Sequence, residues 1–233
     1  KKKLLKNKII WITKINKINE KPTIFIANEF FDAIAIKQLI KKKGLWVENF
    51  VNFNERKKPF LLQKKINIKK IEKKIDFEIS KNQNFIEYSE IGLMYLKNIS
   101  KIIKKNTGGI LIIDYGFTDG KMKNTLQSVS NHKFANILEN IGNVDITHKI
   151  NFKLFENFAK KIGGLTNVLT TQKKFLINMG IKQRAEIISR NESFLKKADI
   201  YYRLNRLIDE KQMGNLFKVM FIKNKNNKFK QGF

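Results

Sequence analysis

Gly108-Gly109-Ile110-Leu111-Ile112-Ile113-Asp114-Tyr115-Gly116 sets an apolar tetrapeptide between a glycine pair and an acidic turn. A short β-branched run bounded in this way reads as a buried strand. Just upstream, between Glu90 and Lys105, Ile91, Met94, Tyr95, Ile99, Ile102 and Ile103 recur at helical spacing among lysines. That pattern is an amphipathic helix, and Asn106-Thr107-Gly108-Gly109 stops it. Helix, glycine pair, apolar strand and acidic turn form half of a βαβ unit, so the chain is expected to be α/β with a parallel sheet.

A second buried strand is expected at Thr23-Ile24-Phe25-Ile26-Ala27, after the Lys21-Pro22 punctuation, ending in Asn28-Glu29-Phe30-Phe31-Asp32. If both strands share one sheet, their carboxyl ends lie on one edge, where open α/β sheets bind ligands. Asn28–Asp32 and Asp114–Gly116 should then face one crevice. Lys37–Ile40 and Leu45–Val51 read as a β-hairpin turning at Gly44. The lysine-rich stretch 54–84 reads as a mobile connection or short strands. A helix should open at Phe152 and stop at Gly163-Gly164, with a strand at Leu165–Thr170. Two or three short helices follow between Thr171 and Leu207, broken at Gly180 and near Asn191. Leu216–Ile222 should close the fold as a strand. Residues 1–222 are expected to form one domain, and 223–233 a frayed basic tail.

The chain has 233 residues, enough for a sizeable core. A hydrophobic share of 42% with 19 phenylalanines excludes global disorder. With no cysteine and two histidines, His132 and His148, a thiolate or multi-histidine metal site is not expected. No Walker loop, G-x-G-x-x-G, G-x-S-x-G or H-E-x-x-H occurs. No apolar run reaches membrane-spanning length. The chain opens Lys1-Lys2-Lys3 and its first methionine is Met94, which suggests a processed segment or a truncated reading frame.

The net charge is +28, which by itself points to nucleic acid or an anionic surface. Yet only five of the 48 basic residues are arginine: Arg56, Arg184, Arg190, Arg203 and Arg206. Lys, Asn, Ile and Phe, which A/T-only codons encode, are all abundant. Drift toward A/T produces this bias without selection, and nucleic-acid sites favour the arginine that is scarce here.

Glu29 and Asp32, three apart, share a face if their segment turns helically. Two carboxylates on one face match the five donors of a guanidinium, and the neighbouring rings of Phe30 and Phe31 suit a cation. Acids at a helix N-terminus, favoured by the dipole, would give the same pattern. Asp114-Tyr115 reads either as part of that site or as a strand-ending turn. Gln127 and His132 carry no intrinsic chemistry.

At these residues the chain resembles a known family. ANEFFDAIAIKQ (Ala27–Gln38), GGILIIDYG (Gly108–Gly116), TLQSVSNHKF (Thr125–Phe134), GNVDITHKINF (Gly142–Phe152), TQKKFLINMGI (Thr171–Ile181) and LIDEKQMGNLFKVM (Leu207–Met220) recur in that order. They resemble the MidA family of S-adenosylmethionine-dependent methyltransferases, whose mitochondrial members are protein arginine methyltransferases needed for respiratory complex I assembly. The resemblance covers about Ile9 to Ile222. It implies a class I, Rossmann-like methyltransferase fold: a mostly parallel sheet with an antiparallel last strand, β-hairpin and helical insertions, and its amino-terminal strands absent. The strands ending at Ala27 and Ile113 would be strands four and five.

The resemblance also implies roles. Glu29 and Asp32 would grip a guanidinium, and Asn28 would bridge S-adenosylmethionine and substrate. Phe30, Phe31, Asp114, Tyr115, Gln127 and His132 would line the substrate side. No metal is implied. The partner would be a protein bearing the target arginine, such as a complex I subunit, in a bacterial cytoplasm or, in a eukaryote, in mitochondria. The sequence departs from the family where Asp-Ala-Leu-Pro reads Asp32-Ala33-Ile34-Ala35, where the histidine stands one place early at His148, and where Asn151 replaces an acid. The glycine-rich cofactor loop would lie upstream of Lys1, so this stretch is expected to be inactive by itself. The competing readings are a non-catalytic basic assembly module and a nucleic-acid-binding protein.

Overall fold

A computed structural model describes residues 9–18, 21–130 and 133–233. The strand read at Thr23–Ala27 is β1 (Thr23–Asn28), and the glycine-bounded strand is β6 (Gly108–Phe117). The two pair in parallel, with Thr23 opposite Gly108 and Asn28 opposite Ile113. β12 (Phe217–Asn224) lies antiparallel on β6, and β11 (Leu165–Thr171) antiparallel on β12, giving the order β1-β6-β12-β11. β11 therefore runs parallel to β1 and β6. The two-residue β10 (Ile150–Asn151) pairs with Gly116 and Phe117, beyond the reach of β1. This is the expected mostly parallel sheet with an antiparallel last strand.

Ser89 caps the helix α2 (Glu90–Asn106) by accepting the Gly92 amide. Asn151 does the same for α3 (Phe152–Ile162) through the Leu154 amide. Both helices bury their apolar stripe on the sheet: Leu93, Leu96, Ile99 and Ile103 from α2, and Phe155, Phe158 and Ala159 from α3, enclose Ile110, Ile112, Met220 and Ile222. The outer edge of β1 has no strand partner among the described residues.

Three insertions leave the sheet, each from the carboxyl end of a parallel strand. After β1 comes an antiparallel sheet ordered β4-β3-β2-β5, from β2 (Lys37–Lys42), β3 (Leu45–Phe53), β4 (Pro59–Ile66) and β5 (Phe85–Tyr88). The β2–β3 hairpin turns at Lys43-Gly44, both at positive φ, the two-residue primed geometry that matches strand twist. After β6 comes a small sheet of β7 (Gln127–Ser130), β8 (Lys133–Ala135) and β9 (Asp145–Thr147). After β11 come the helices α4 (Gln172–Asn178), α5 (Ile181–Ser189), α6 (Phe194–Ile208) and α7 (Met213–Leu216).

Two expectations are corrected in part. Of the mobile connection or short strands expected over 54–84, the strand reading holds for β4, which pairs with β3, while α1 (Ile68–Ile75), capped by Asn67, was not foreseen. Its apolar positions Ile68, Ile71 and Ile75 pack on the core among lysines that mask the helical period. The tail is not frayed at its start. β12 runs to Asn224, Lys223 and Asn224 are buried, and the Lys223 ammonium donates to the Phe229 carbonyl. Phe229 and Phe233 pack on Phe221, and Phe233 also meets Phe175.

Gly116 allows the closest backbone approach near the candidate site. A Cβ there would stand 2.1 Å from the Ile150 carbonyl oxygen and 2.9 Å from the Phe152 ring. Backbone is the obstacle, so β10 would have to move. Gly116→Ala is expected to destabilise the protein by more than about 2 kcal/mol. Urea unfolding checks this, and an unchanged midpoint would refute the tight β6–β10 pairing.

Candidate active site

The chain leaves β1 by a strained turn. The Glu29 amide still donates to the Ile113 carbonyl (2.9 Å), but Glu29 has φ 44, a left-handed conformation that costs a non-glycine residue about 1–2 kcal/mol. Asn28 and Glu29 keep exposed side chains at the sheet edge. Phe30 is half-exposed, whereas Phe31 is buried. Phe31 packs edge-on between Phe30 (5.1 Å) and Phe155 (5.0 Å), and Phe30 also meets Tyr95 (5.5 Å). The segment forms no helical turn, so the shared face expected for Glu29 and Asp32 is not formed: Glu29 faces solvent and Asp32 is buried.

The two acidic clusters do meet. The Tyr115 hydroxyl donates to Asp32 Oδ2 (2.7 Å), and the Asp32 amide donates to Asp114 Oδ2 (3.3 Å). Asp114 Oδ1 accepts the amide of Tyr115 (2.9 Å), and the His148 amide donates to the Asp32 carbonyl (3.2 Å). Asp114 is wholly buried. Burial, and then the neighbouring Asp32 carboxylate, push its carboxyl up to about 7. Burial first, and the nearby acids after it, hold the Tyr115 phenol well above its usual range, so it remains an O–H donor. Asp32 Oδ1 is buried and has no hydrogen-bond partner.

Gln127 reaches this cluster indirectly. Its Nε2 donates to Thr147 Oγ1 (3.3 Å), and the Thr147 hydroxyl lies beside the Tyr115 phenol. The sequence carries no signal for Thr147, because the β7–β9 pairing that sets it opposite Gln127 is a contact across a long loop. His132 lies outside the described residues. Glu87 was also missed. It is a buried acid on β5 whose carboxylate accepts from Gln38 Nε2 (2.7 Å) and from the amide and hydroxyl of Thr125. Thr125 in turn accepts the Lys149 amide (2.8 Å), so Glu87 fixes the strap that supports Asp32. Behind Phe31 a cavity of about 20 Å³ touches Tyr88, His148 and Asn151. It is of the size that holds one water, and each of these three residues has a buried polar atom without a partner.

This edge is rich in acceptors. Asp32 Oδ1, Glu29 and the Asn28 amide suit a cationic group, whether a guanidinium or the charged end of S-adenosylmethionine. The chain contains no Gly-x-Gly, so it carries no glycine-rich backbone cradle of that kind for the nucleoside.

The match to known proteins follows this layout. Residues 1–171 match the model of a family described as "Putative S-adenosyl-L-methionine-dependent methyltransferase". The chain belongs to this family. A mitochondrial protein arginine methyltransferase of Danio rerio, NDUFAF7, is 27% identical over 220 residues, covering 93% of this chain and 51% of that protein. The Homo sapiens protein of the same name is 28% identical over 125 residues, covering 52% of this chain and 27% of that protein. A Burkholderia thailandensis protein crystallised with S-adenosyl-homocysteine superposes with a TM-score of 0.74 at 20% identity, over 94% of this chain and 58% of its own. The chain thus has a class I methyltransferase fold and spans about half the length of the curated relatives it matches.

In this methyltransferase-family chain Asp114 makes stability depend on pH. Its carboxyl is protonated more readily folded, near 7, than unfolded, near 3.8. Its contribution is full below about pH 4 and is lost as pH rises through 7. Comparing wild type with Asp114→Asn by urea unfolding should show wild type losing on the order of 2–4 kcal/mol relative to the variant between pH 4.5 and 8. A constant difference would show that Asp114 is not shifted.

Proposed function

We propose that this chain supplies the acceptor side of an S-adenosylmethionine-dependent protein arginine methyltransferase. The observation that carries the reading is Asp32, a carboxylate at the carboxyl edge of β1 and β6 whose buried Oδ1 has no hydrogen-bond partner. An arginine guanidinium would donate an N–H to the exposed Glu29 carboxylate, and a second N–H of the same fork would reach Asp32 once the turn carrying it shifts to admit the group. Asn28, on the last residue of β1, would bridge substrate and cofactor. Phe30 would shield the cation, while Phe31, Asp114, Tyr115 and Gln127 hold the floor.

When bound, the cofactor supplies an electrophilic methyl on a sulfonium. Asn28, Asp32 and Glu29 would hold one guanidinium nitrogen toward that methyl, and a carboxylate would take up the proton that nitrogen releases. Because guanidinium stays protonated in water, the residues must orient one nitrogen while balancing its charge, and positioning dominates the rate. Glu29 is the proposed acceptor of the released proton. The protein substrate proposed is an arginine-bearing subunit of respiratory complex I, and the compartment a bacterial cytoplasm or, in a eukaryote, the mitochondrion. These 233 residues alone are expected to be inactive.

In a protein of the relatives' full length, Glu29→Gln should reduce arginine methylation at least about 100-fold while cofactor affinity and unfolding midpoint stay unchanged. Methylarginine mass spectrometry with calorimetric cofactor titration tests this, and retained turnover overturns the assignment. Tyr115→Phe removes one hydrogen bond to Asp32 and should cost about 1–2 kcal/mol of stability by urea unfolding. No loss of stability would place the phenol outside the network.

A further inference from the structure

α5 and α6 form a helical hairpin with an apolar groove between them. From α5, Ile181, Arg184, Ala185 and Ile188 line it. From α6, Ile200, Arg203, Leu204 and Leu207 do so. Each set has the spacing i, i+3, i+4, i+7, the stripe by which a helix meets another helix. The groove holds about 180 Å³, so two antiparallel stripes converge on a space that neither fills. α6 is 15 residues long and buries none of them. On or beside the same two helices Ile187, Phe194, Leu195 and Tyr202 are between 60% and 84% exposed.

The charges at the groove are selective. Four of the five arginines, Arg184, Arg190, Arg203 and Arg206, fall between 181 and 208. Codon drift explains lysine but not this clustering of a residue the rest of the chain nearly lacks. Arg184, in the groove wall, has no ion-pair partner among the described residues, and Arg203 opposite engages only Asp199 of its own helix. Over the hairpin Lys182, Lys196, Lys197 and the four arginines outweigh Glu186, Glu192 and Asp199. An apolar floor between two arginine forks matches a helix with an apolar stripe flanked by carboxylates.

We propose that the α5–α6 groove is a docking site for an acidic amphipathic helix of a partner protein, which completes a three-helix bundle there. This inference is independent of methyl transfer.

The test uses the 233-residue chain and synthetic peptides of about five helical turns. One carries leucines at i, i+3, i+4, i+7 with flanking glutamates, one the same leucines with flanking lysines, and one the acidic composition scrambled. Fluorescence anisotropy should show the acidic amphipathic peptide binding at least about tenfold tighter than either control. Arg184→Glu with Arg203→Glu, both exposed positions, should reverse the preference so that the lysine-flanked peptide binds better. Circular dichroism confirms that the variant is folded. Three results would overturn the proposal: equal binding of the scrambled peptide, which means attraction to net charge alone; no change of preference in the double variant; or a concentration-dependent dimer that Leu204→Asp abolishes, which means a second copy fills the groove.

Discussion

β6 has strands on both sides and helices against its faces, and the other elements take their position from it. Its burial forces the choice at its carboxyl end, where Asp114 is carried into the core as a consequence of strand register. A buried carboxylate is tolerated only when its lone pairs are taken. Here the amides of Asp32 and Tyr115 take them. The first of these bonds ties the turn after β1 to β6 and presents Asp32. The acid that is unfavourable for stability at neutral pH is therefore the one that assembles the edge.

The fold was legible where apolar runs are bounded by glycine or proline. Ile110–Ile113, Thr23–Ala27, the Gly44 hairpin and the helix after Ser89 all lie where the sequence places them, because each is defined by its own local pattern. α1 (Ile68–Ile75) was not, because lysines at nearly every exposed position blur its period. The tail was misread for a related reason. Its lysines suggest solvent, but Phe229 and Phe233 are anchored by Phe221 and Phe175, partners far away in sequence or one strand back.

The candidate site was half legible. Strand-end logic brought Asp32, Asp114 and Tyr115 to one edge, as found. It could not reveal that Glu29 takes a left-handed backbone and turns outward, since a single φ is fixed by the Ile113 contact and not by residue type. Nor could it reveal Thr147 or Glu87, whose roles arise from pairing across insertions. Each of these insertions begins at the carboxyl end of a parallel strand, so the second layer of the site comes from segments whose sequence says least about where they end.

The net charge of +28 bears on how such a site meets its substrate. A molecule of this net charge repels a free guanidinium at long range, and steering would slow the approach of an arginine peptide. Attraction must then come at short range, from Asp32 and Glu29, or from acidic surface elsewhere on the partner. Short-range carboxylates act only after encounter, when the charge is desolvated. An acidic segment on the partner acts earlier, by opposing the field of the whole molecule, and affects association rate more than final affinity. If the proposed arginine-bearing substrate is right, the lysines would disfavour small basic peptides and favour larger acidic proteins that carry an arginine. On that reading the surface charge would narrow what can reach the site without taking part in the chemistry.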